Sequence, residues 1–296
     1  MKKNLFYVLL AYTLWGLFPI FWKQLSAVSP IYVLATRLVW SLVFCLLLAV
    51  LRRSTGVLRE LLKNKRLVGR LTLCGITITL NWGLYIAAVS AGHIIEGSLA
   101  YFMCPIFSVL MGCIFYREKL DKLQWIAVAL ATLGVLIPVL RYGKVPVYAL
   151  GIGLSFAVYS ALKKKITLKS ELSMVMETLP LVPFALLYIV WQETHGGGCS
   201  AVLSGWQYLL LPLSGVFTSV PLLLFARGVP HMPLSLSGVV MYLNPVLQLM
   251  VGVIIYHEEF TVTNAITFGF VLAAVLLFFA RQWLHRSKPL PVAAED

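Results

Sequence analysis

Three ionisable side chains, Arg37, Glu96 and Glu177, lie inside long apolar stretches of this sequence. A charge in hydrocarbon is costly, so each must face a partner or a wet cavity. Such residues serve as links between helices, or as sites for a proton or a charged group of a solute. At 1.5 Å per residue, Arg37 is about 10 Å inside its stretch and Glu96 about 5 Å inside from the same end, so these two are expected to pair. Glu177 lies about 8 Å from the opposite end, which leaves about 12 Å between its level and that of Arg37. Lys163, Lys164 or Arg227 would be a nearer partner for it. Both readings stay open for these groups: structural ion pairs, or a carboxylate that takes a proton or a cationic substrate group.

Aromatic and amide side chains form a second constellation. Tyr12, Trp15 and Pro19 recur at three- and four-residue steps, which places them on one helical face. Asn81 and Tyr85 share another. Tyr101, Pro105, Ser108 and Gly112 share a third, mirrored by Met241, Pro245, Gln248 and Gly252. With Tyr159, Tyr242 and Asn244, these polar-edged groups make a candidate substrate cavity suited to an amphipathic organic solute rather than a bare ion. Helix packing or an interfacial aromatic belt is the competing account; Trp22, Trp40, Trp191 and Trp283 are assigned to it. Pro105 and Pro245 fall mid-stretch and weaken or bend a helix there, as hinges or as static kinks. Glu118 and Glu258 are expected to be caps or loop anchors.

Enzymatic chemistry finds little support. Gly153-Leu154-Ser155-Phe156 carries a Gly-x-Ser, but His93, His195, His231, His257 and His285 all fall at the ends of apolar stretches or in loops. No histidine pair or cysteine pair has metal-site spacing, and no phosphate-binding loop is present. No enzyme, cofactor or metal site is expected. Of five cysteines, Cys199 alone falls in an expected external loop, so no disulfide framework is implied.

The elements that position these residues follow from composition. Of 296 residues, 60% are apolar and 12% charged, and mean hydropathy is +0.90. Continuous apolar runs without a two-residue alternation predict membrane helices rather than a barrel. Spans are expected near 4–24, 30–51, 71–90, 93–116, 123–140, 147–162, 172–191, 206–226, 233–256 and 262–281. Alternate loops then divide the basic residues unequally, with 20 of the 24 on one side. The net charge of +13 is therefore a topology signal, and not a nucleic-acid surface. Both termini are expected in the cytoplasm, and the first apolar run is expected to be a span rather than a signal peptide.

A shift of 140 positions lays the second half of the chain on the first without a gap. Gly75 falls on Gly215, Pro105 on Pro245, Gly112 on Gly252, Tyr116 on Tyr256 and Glu118 on Glu258. Over 71–136, 13 of 66 positions are identical. Five spans per unit is an odd number, so the two copies must enter the membrane from opposite sides. Secondary transporters use this inverted repeat, with the substrate near the midplane between the copies.

Tyr116-Arg117-Glu118-Lys119-Leu120, followed by Gln124-Trp125-Ile126 and Gly134, resembles the junction between the fourth and fifth helices of EamA-type drug/metabolite transporters. Tyr256-His257-Glu258-Glu259-Phe260 is similar to its second copy. Trp15-Gly16 with Pro19, Arg37 with Trp40-Ser41, Asn81-Trp82, Glu96 with Ser98, Tyr101-Phe102 with Pro105, and Glu177-Thr178 resemble the RarD subgroup. Cys104 departs from the asparagine usual before that proline, whereas Asn244 precedes Pro245. The resemblance covers nearly the whole chain and implies two inverted five-helix repeats around a central cavity, in a subgroup that carries a chloramphenicol-sensitivity label.

The expectation is thus an all-α, ten-span protein of the inner (plasma) membrane, with repeats at 1–140 and 141–284 and a cytoplasmic tail at 285–296. Its expected function is alternating-access transport, most simply export, of drugs, metabolites or amino acids. Protons or a counter-solute are candidates for coupling, and the oligomeric state is left open. A nucleotide-sugar-type antiporter would need several cavity cations to clamp phosphates, and Arg37 is the one mid-span cation. A non-transporting receptor or scaffold is the rival from another class.

Overall fold

The computed structural model describes residues 2–91, 93–257 and 261–286, apart from the side chains of Lys2, residues 89–90, 94–98 and 281–286. Among the described residues the fold is all helix. The chain runs α1 (Lys2–Trp22), α2 (Pro30–Leu51), a short α3 (Leu58–Lys63), α4 (Lys65–Ser90), α5 (Ile94–Tyr116), α6 (Lys122–Tyr142) and α7 (Val147–Lys164). It continues through α8 (Ser170–Thr178), α9 (Val182–Thr194), α10 (Leu210–Gly228), α11 (Leu234–Val240), α12 (Leu243–Met250), a π-helical turn at Val251–Ile255, and α13 (Val262–Arg286).

Local chemistry sets these boundaries. Pro30 opens α2, where its missing N–H costs nothing. Asp121 and Gln124 cap α6 reciprocally, each side chain taking the other's backbone N–H at 3.0 Å. Gly143 ends α6 at φ +70°, a conformation that a Cβ would strain.

Eight helices among the described residues are long and apolar enough to cross a membrane, nine if a bent pair is taken as one span. The bent pair is Ser170–Thr178 with Val182–Ala201, at 54°. The eighteen-residue α7, which ends in Lys163-Lys164, is not among them. The helices that correspond under the 140-residue shift part company at two places: α2 is unbroken where its counterpart is the bent pair α8 and α9, and α5 differs from α11 and α12. α5 runs unbroken through Pro105. Its counterpart breaks between α11 and α12 at Met241–Tyr242, so Pro245 sits in the first turn of α12, where no intrahelical N–H is needed.

The main packing pairs are α2 with α10, α2 with α8 and α9, α4 with α8, α5 with α7, α1 with α12, α4 with α7, α1 with α10, α6 with α13 and α5 with α11. Two glycines let backbones meet. A Cβ on Gly75 would lie 2.1 Å from the Glu177 carbonyl oxygen, and one on Gly215 would lie 2.4 Å from the Trp40 backbone. Close approach at small residues is how helices gain contact when lipid offers no hydrophobic drive. The largest buried cluster, with Tyr12, Tyr159, Phe225 and Leu234 fully enclosed, fills the bundle toward the end that carries the α7–α8 connection.

Candidate functional site

A cavity of about 360 Å³ enters the bundle from the end that carries the 23–29 linker between α1 and α2. Trp15, Phe18 and Trp22 come from α1, Arg37 from α2, and Asn81, Trp82 and Tyr85 from α4. The far wall brings Tyr101 and Cys104 from α5, Phe156 from α7, and Asn244 and Gln248 from α12. Arg37 is the only charged residue among the described residues of this lining. The size and the mix of aromatic walls with a few polar groups are those of a small-molecule site.

Arg37 Nε donates to Thr218 Oγ1 at 3.1 Å. Its guanidinium carbon lies 3.8 Å from the centroid of Trp82 and 4.9 Å from that of Trp22. Two aromatic faces thus offset part of the cost of holding a cation at this depth. Asn81 Nδ2 donates to the Ile152 carbonyl at 2.6 Å and to Ser155 Oγ at 3.1 Å, which fixes its amide between α4 and α7. Gln248 Nε2 donates to Asn244 Oδ1 at 2.8 Å. The rings of Tyr85 and Tyr101 lie 5.7 Å apart.

The cavity floor is aromatic. Trp15 meets Phe156 edge to face at 6.0 Å, and both rest on Phe225, at 5.8 and 5.9 Å. Tyr159 stacks on Phe225 at 6.0 Å, and Tyr12 meets it at 6.0 Å. Below this plug, at the opposite end, the Glu118 carboxylate caps α11. It accepts the Leu234 and Ser235 amides at 2.7 and 2.8 Å and pairs with Lys164. Burial opposes ionisation of Glu118, but Lys164 and the two amides outweigh it and hold the carboxyl below its ordinary range. Tyr116 also donates to the Ala161 carbonyl at 2.5 Å, so this end is closed.

Six of the nine residues expected to form the cavity line it: Trp15, Asn81, Tyr85, Tyr101, Asn244 and Gln248. Three do not. Tyr12 and Tyr159 lie beneath the floor, where Tyr12 shares a hydrogen bond with Ser237 Oγ and Tyr159 donates to Glu177. Tyr242 is turned away from the cavity, toward a small apolar gap beside Pro105 and Ala131. The helical steps that grouped them ignored depth, and Tyr12 is one turn too far down α1.

Trp22 is a correction in the other direction. Expected to belong to packing or the lipid face, it lines the cavity and flanks Arg37. Trp82 was missed. It stands three residues before Tyr85 on α4, a spacing that could have found it.

Glu177 is paired with Lys163, and both are almost wholly buried. Ser173 Oγ donates to the same carboxylate at 2.8 Å, and Lys163 Nζ donates to Ser173 Oγ at 2.8 Å. The side chain of Glu96, the expected partner of Arg37, and all of Glu258 lie outside the described residues. Pro105 lies inside a continuous helix, and Pro245 follows the break in its counterpart.

Known proteins converge on one assignment. The EamA-like transporter family matches residues 2–140 and again 144–280. The chain is 40% identical to an uncharacterized transporter, YojE, of Bacillus subtilis, over 97% of both chains. It is 36% identical to the protein RarD of Streptomyces exfoliatus, over 93% of this chain and 88% of that one. To RarD of Escherichia coli it is 32% identical over 94% of each. A crystal structure only 18% identical shares the fold, with a TM-score of 0.75 over 95% of this chain and 98% of that one. The apolar helices and these relatives make the protein a multi-pass transporter of the inner membrane, and the chain belongs to the EamA-like transporter family, among its RarD-type members.

Proposed function

We propose that the chain is an alternating-access secondary transporter that moves small amphipathic organic solutes outward, through the cavity between two inverted five-helix repeats. The repeats are 1–140 and 141–284, each with five spans once α7 is counted, followed by a tail at 285–296. The observation that carries this reading is a polar-aromatic cavity open at one end and sealed at the other. The packing supports a twofold relation. Under the 140-residue shift, α2 with α10 becomes α8 with α4, α4 with α7 becomes α10 with α1, and α5 with α7 becomes α12 with α1, while α6 with α13 maps onto itself. Gly75 meets α8 at Glu177 and Gly215 meets α2 at Trp40, similar close approaches whose partners differ by three positions under the shift. The two separate family matches agree with this division.

Five spans per unit invert one copy relative to the other, and the basic loops put both termini in the cytoplasm. The 23–29 linker is then extracytoplasmic, and the conformation is outward-open with its inner end closed by Glu118 and Lys164. Exchange of conformation between the repeats would open the inner end. A lone lining cation disfavours multiply anionic solutes such as nucleotide sugars. Glu96 and Glu177, the two carboxylates that fall within apolar stretches of the sequence, are the candidates for proton coupling.

The test is solute counterflow in proteoliposomes of the purified protein, with a labelled panel of amino acids, aromatic metabolites and chloramphenicol-like drugs. Transport of at least one solute, abolished when Trp15 and Asn81 are replaced, is the expected result. Flux of every solute at the rate of protein-free vesicles refutes the reading. Labelling of single cysteines in the 23–29 linker from outside the cell tests the orientation.

A further inference from the structure

We propose that the cavity selects an amphipathic monocarboxylate, whose carboxylate is held by the terminal nitrogens of Arg37. This rests on the reading of the cavity as a solute site and adds the chemistry of what enters it.

Arg37 uses Nε on Thr218, and neither Nη atom makes a hydrogen bond among the described residues. No described carboxylate lies within ion-pair distance of it. A guanidinium presents its N–H groups as a planar fork that matches a carboxylate in bidentate fashion. The two tryptophans that flank Arg37 restrain the plane of that fork without neutralising its charge. The lining therefore carries one positive charge and, among its described residues, no negative one. A monoanion balances it; a dianion or an organic cation does not.

The rest of the lining fits the body of such a molecule. Trp15, Phe156 and Trp82 offer apolar and aromatic walls. Both amide hydrogens of Asn81 are committed to α7, which leaves Oδ1 to accept from a neutral donor on the solute.

The repeat gives a second line of support. The position equivalent to Arg37 is Glu177, and the position equivalent to Lys163 is Lys23. In the second repeat these positions form a neutral buried pair. In the first repeat both are cations, so they cannot neutralise each other, and Lys23 lies over the ring of Tyr256 at 3.5 Å instead. The negative charge the second copy supplies from its own chain has no equivalent at this pair in the first.

Matched acids and amides test this on the wild-type protein in detergent or nanodiscs by calorimetry: phenylacetate against phenylacetamide, and indole-3-acetate against indole-3-acetamide. The acids are expected to bind about 10- to 100-fold tighter than the amides, the worth of a charge-assisted bond that the amide lacks. Phenylmalonate, with a second carboxylate left unpaired, is expected to bind more weakly than phenylacetate. R37Q is expected to remove the preference for acid over amide, and W15A to weaken acid and amide alike.

Equal binding of acid and amide to the wild type overturns the proposal and leaves the cavity as a solute site. Equal binding together with R37Q and E96Q lowering thermal stability alike assigns Arg37 to an ion pair instead. If no probe binds and W15A changes nothing, the solute-site reading falls as well.

Discussion

The buried pair of Lys163 and Glu177 allows a prediction with worked magnitudes. Their side chains are 1% and 2% exposed, so removal of one partner strands the other charge. In E177L the ammonium keeps only Ser173 as a hydrogen-bond partner, with the Tyr159 ring 5.9 Å away. In K163M the carboxylate still accepts the hydroxyls of Ser173 and Tyr159. Loss of one partner of a buried pair costs about 3–5 kcal/mol. With two hydroxyls retained, K163M should be the milder.

The double variant K163M/E177L removes both charges and should lie close to the wild type. Reversible unfolding in mixed micelles, followed by tryptophan fluorescence, measures all three. Single-variant losses below about 1 kcal/mol, or losses that simply add in the double variant, would refute the reasoning.

Three further outcomes follow from the geometry. E118A should cost about 1–2 kcal/mol by uncapping α11. Because the Glu118 carboxyl is held below its ordinary range, its contribution is complete above a pH of about 4.3 and is lost as pH falls through the lowered value, so E118A and wild type should converge in acid denaturation series. G75A and G215A should each lose about 1–3 kcal/mol, since the new Cβ meets backbone, whereas G83A, with nothing within 4 Å, should gain up to about 1 kcal/mol in the same unfolding assay. N81L removes both bonds to α7 and leaves the Ile152 carbonyl with the Ser155 hydroxyl as its side-chain donor; it should slow counterflow and lower thermal stability, and an unchanged melting curve would contradict the Asn81 hydrogen bonds.

Much of this was legible in the sequence because the constraints act one residue at a time. A carboxylate about 8 Å from a span end must find a cation at its own level, and depth alone narrowed the partners of Glu177 to a few lysines and an arginine. Gly75 and Gly215 matched across the halves because each must let another backbone approach. The cavity was only partly legible. Helical periodicity names a face but not a height, so Tyr12 and Tyr159 were grouped with residues one turn above them. Trp22 was given to the membrane interface because a tryptophan at a span end is the signature of that belt. Nothing in periodicity reports that α1 turns this ring inward over Arg37. The break between α11 and α12 was hidden for a related reason: Pro105 and Pro245 are equivalent by position, and only the neighbouring packing decides which helix continues.

The two ends of the bundle differ in charge, and the end that carries the α7–α8 connection is the one held shut. At that end Glu118, Lys164 and two free amides of α11 form a cap, and Tyr116 is tied to α7. Lys164 lies over the Tyr116 ring at 4.5 Å, and at the other end the ring equivalent to Tyr116, Tyr256, is covered by Lys23, the neighbour of the position equivalent to Lys164. The aromatic–cation contact is thus made at both ends, but position 24, equivalent to Lys164, is Gln24, and no second ammonium is available there to pair with a carboxylate. The neutral pair beneath the floor, Lys163 with Glu177, likewise has its equivalent only as two cations. The two halves thus share much of their packing, while charge makes one end self-sufficient and leaves Arg37 at the other with no described carboxylate beside it. On the proposed alternating-access reading, a solute carboxylate that satisfies Arg37 would reduce the cost of closing that side over it.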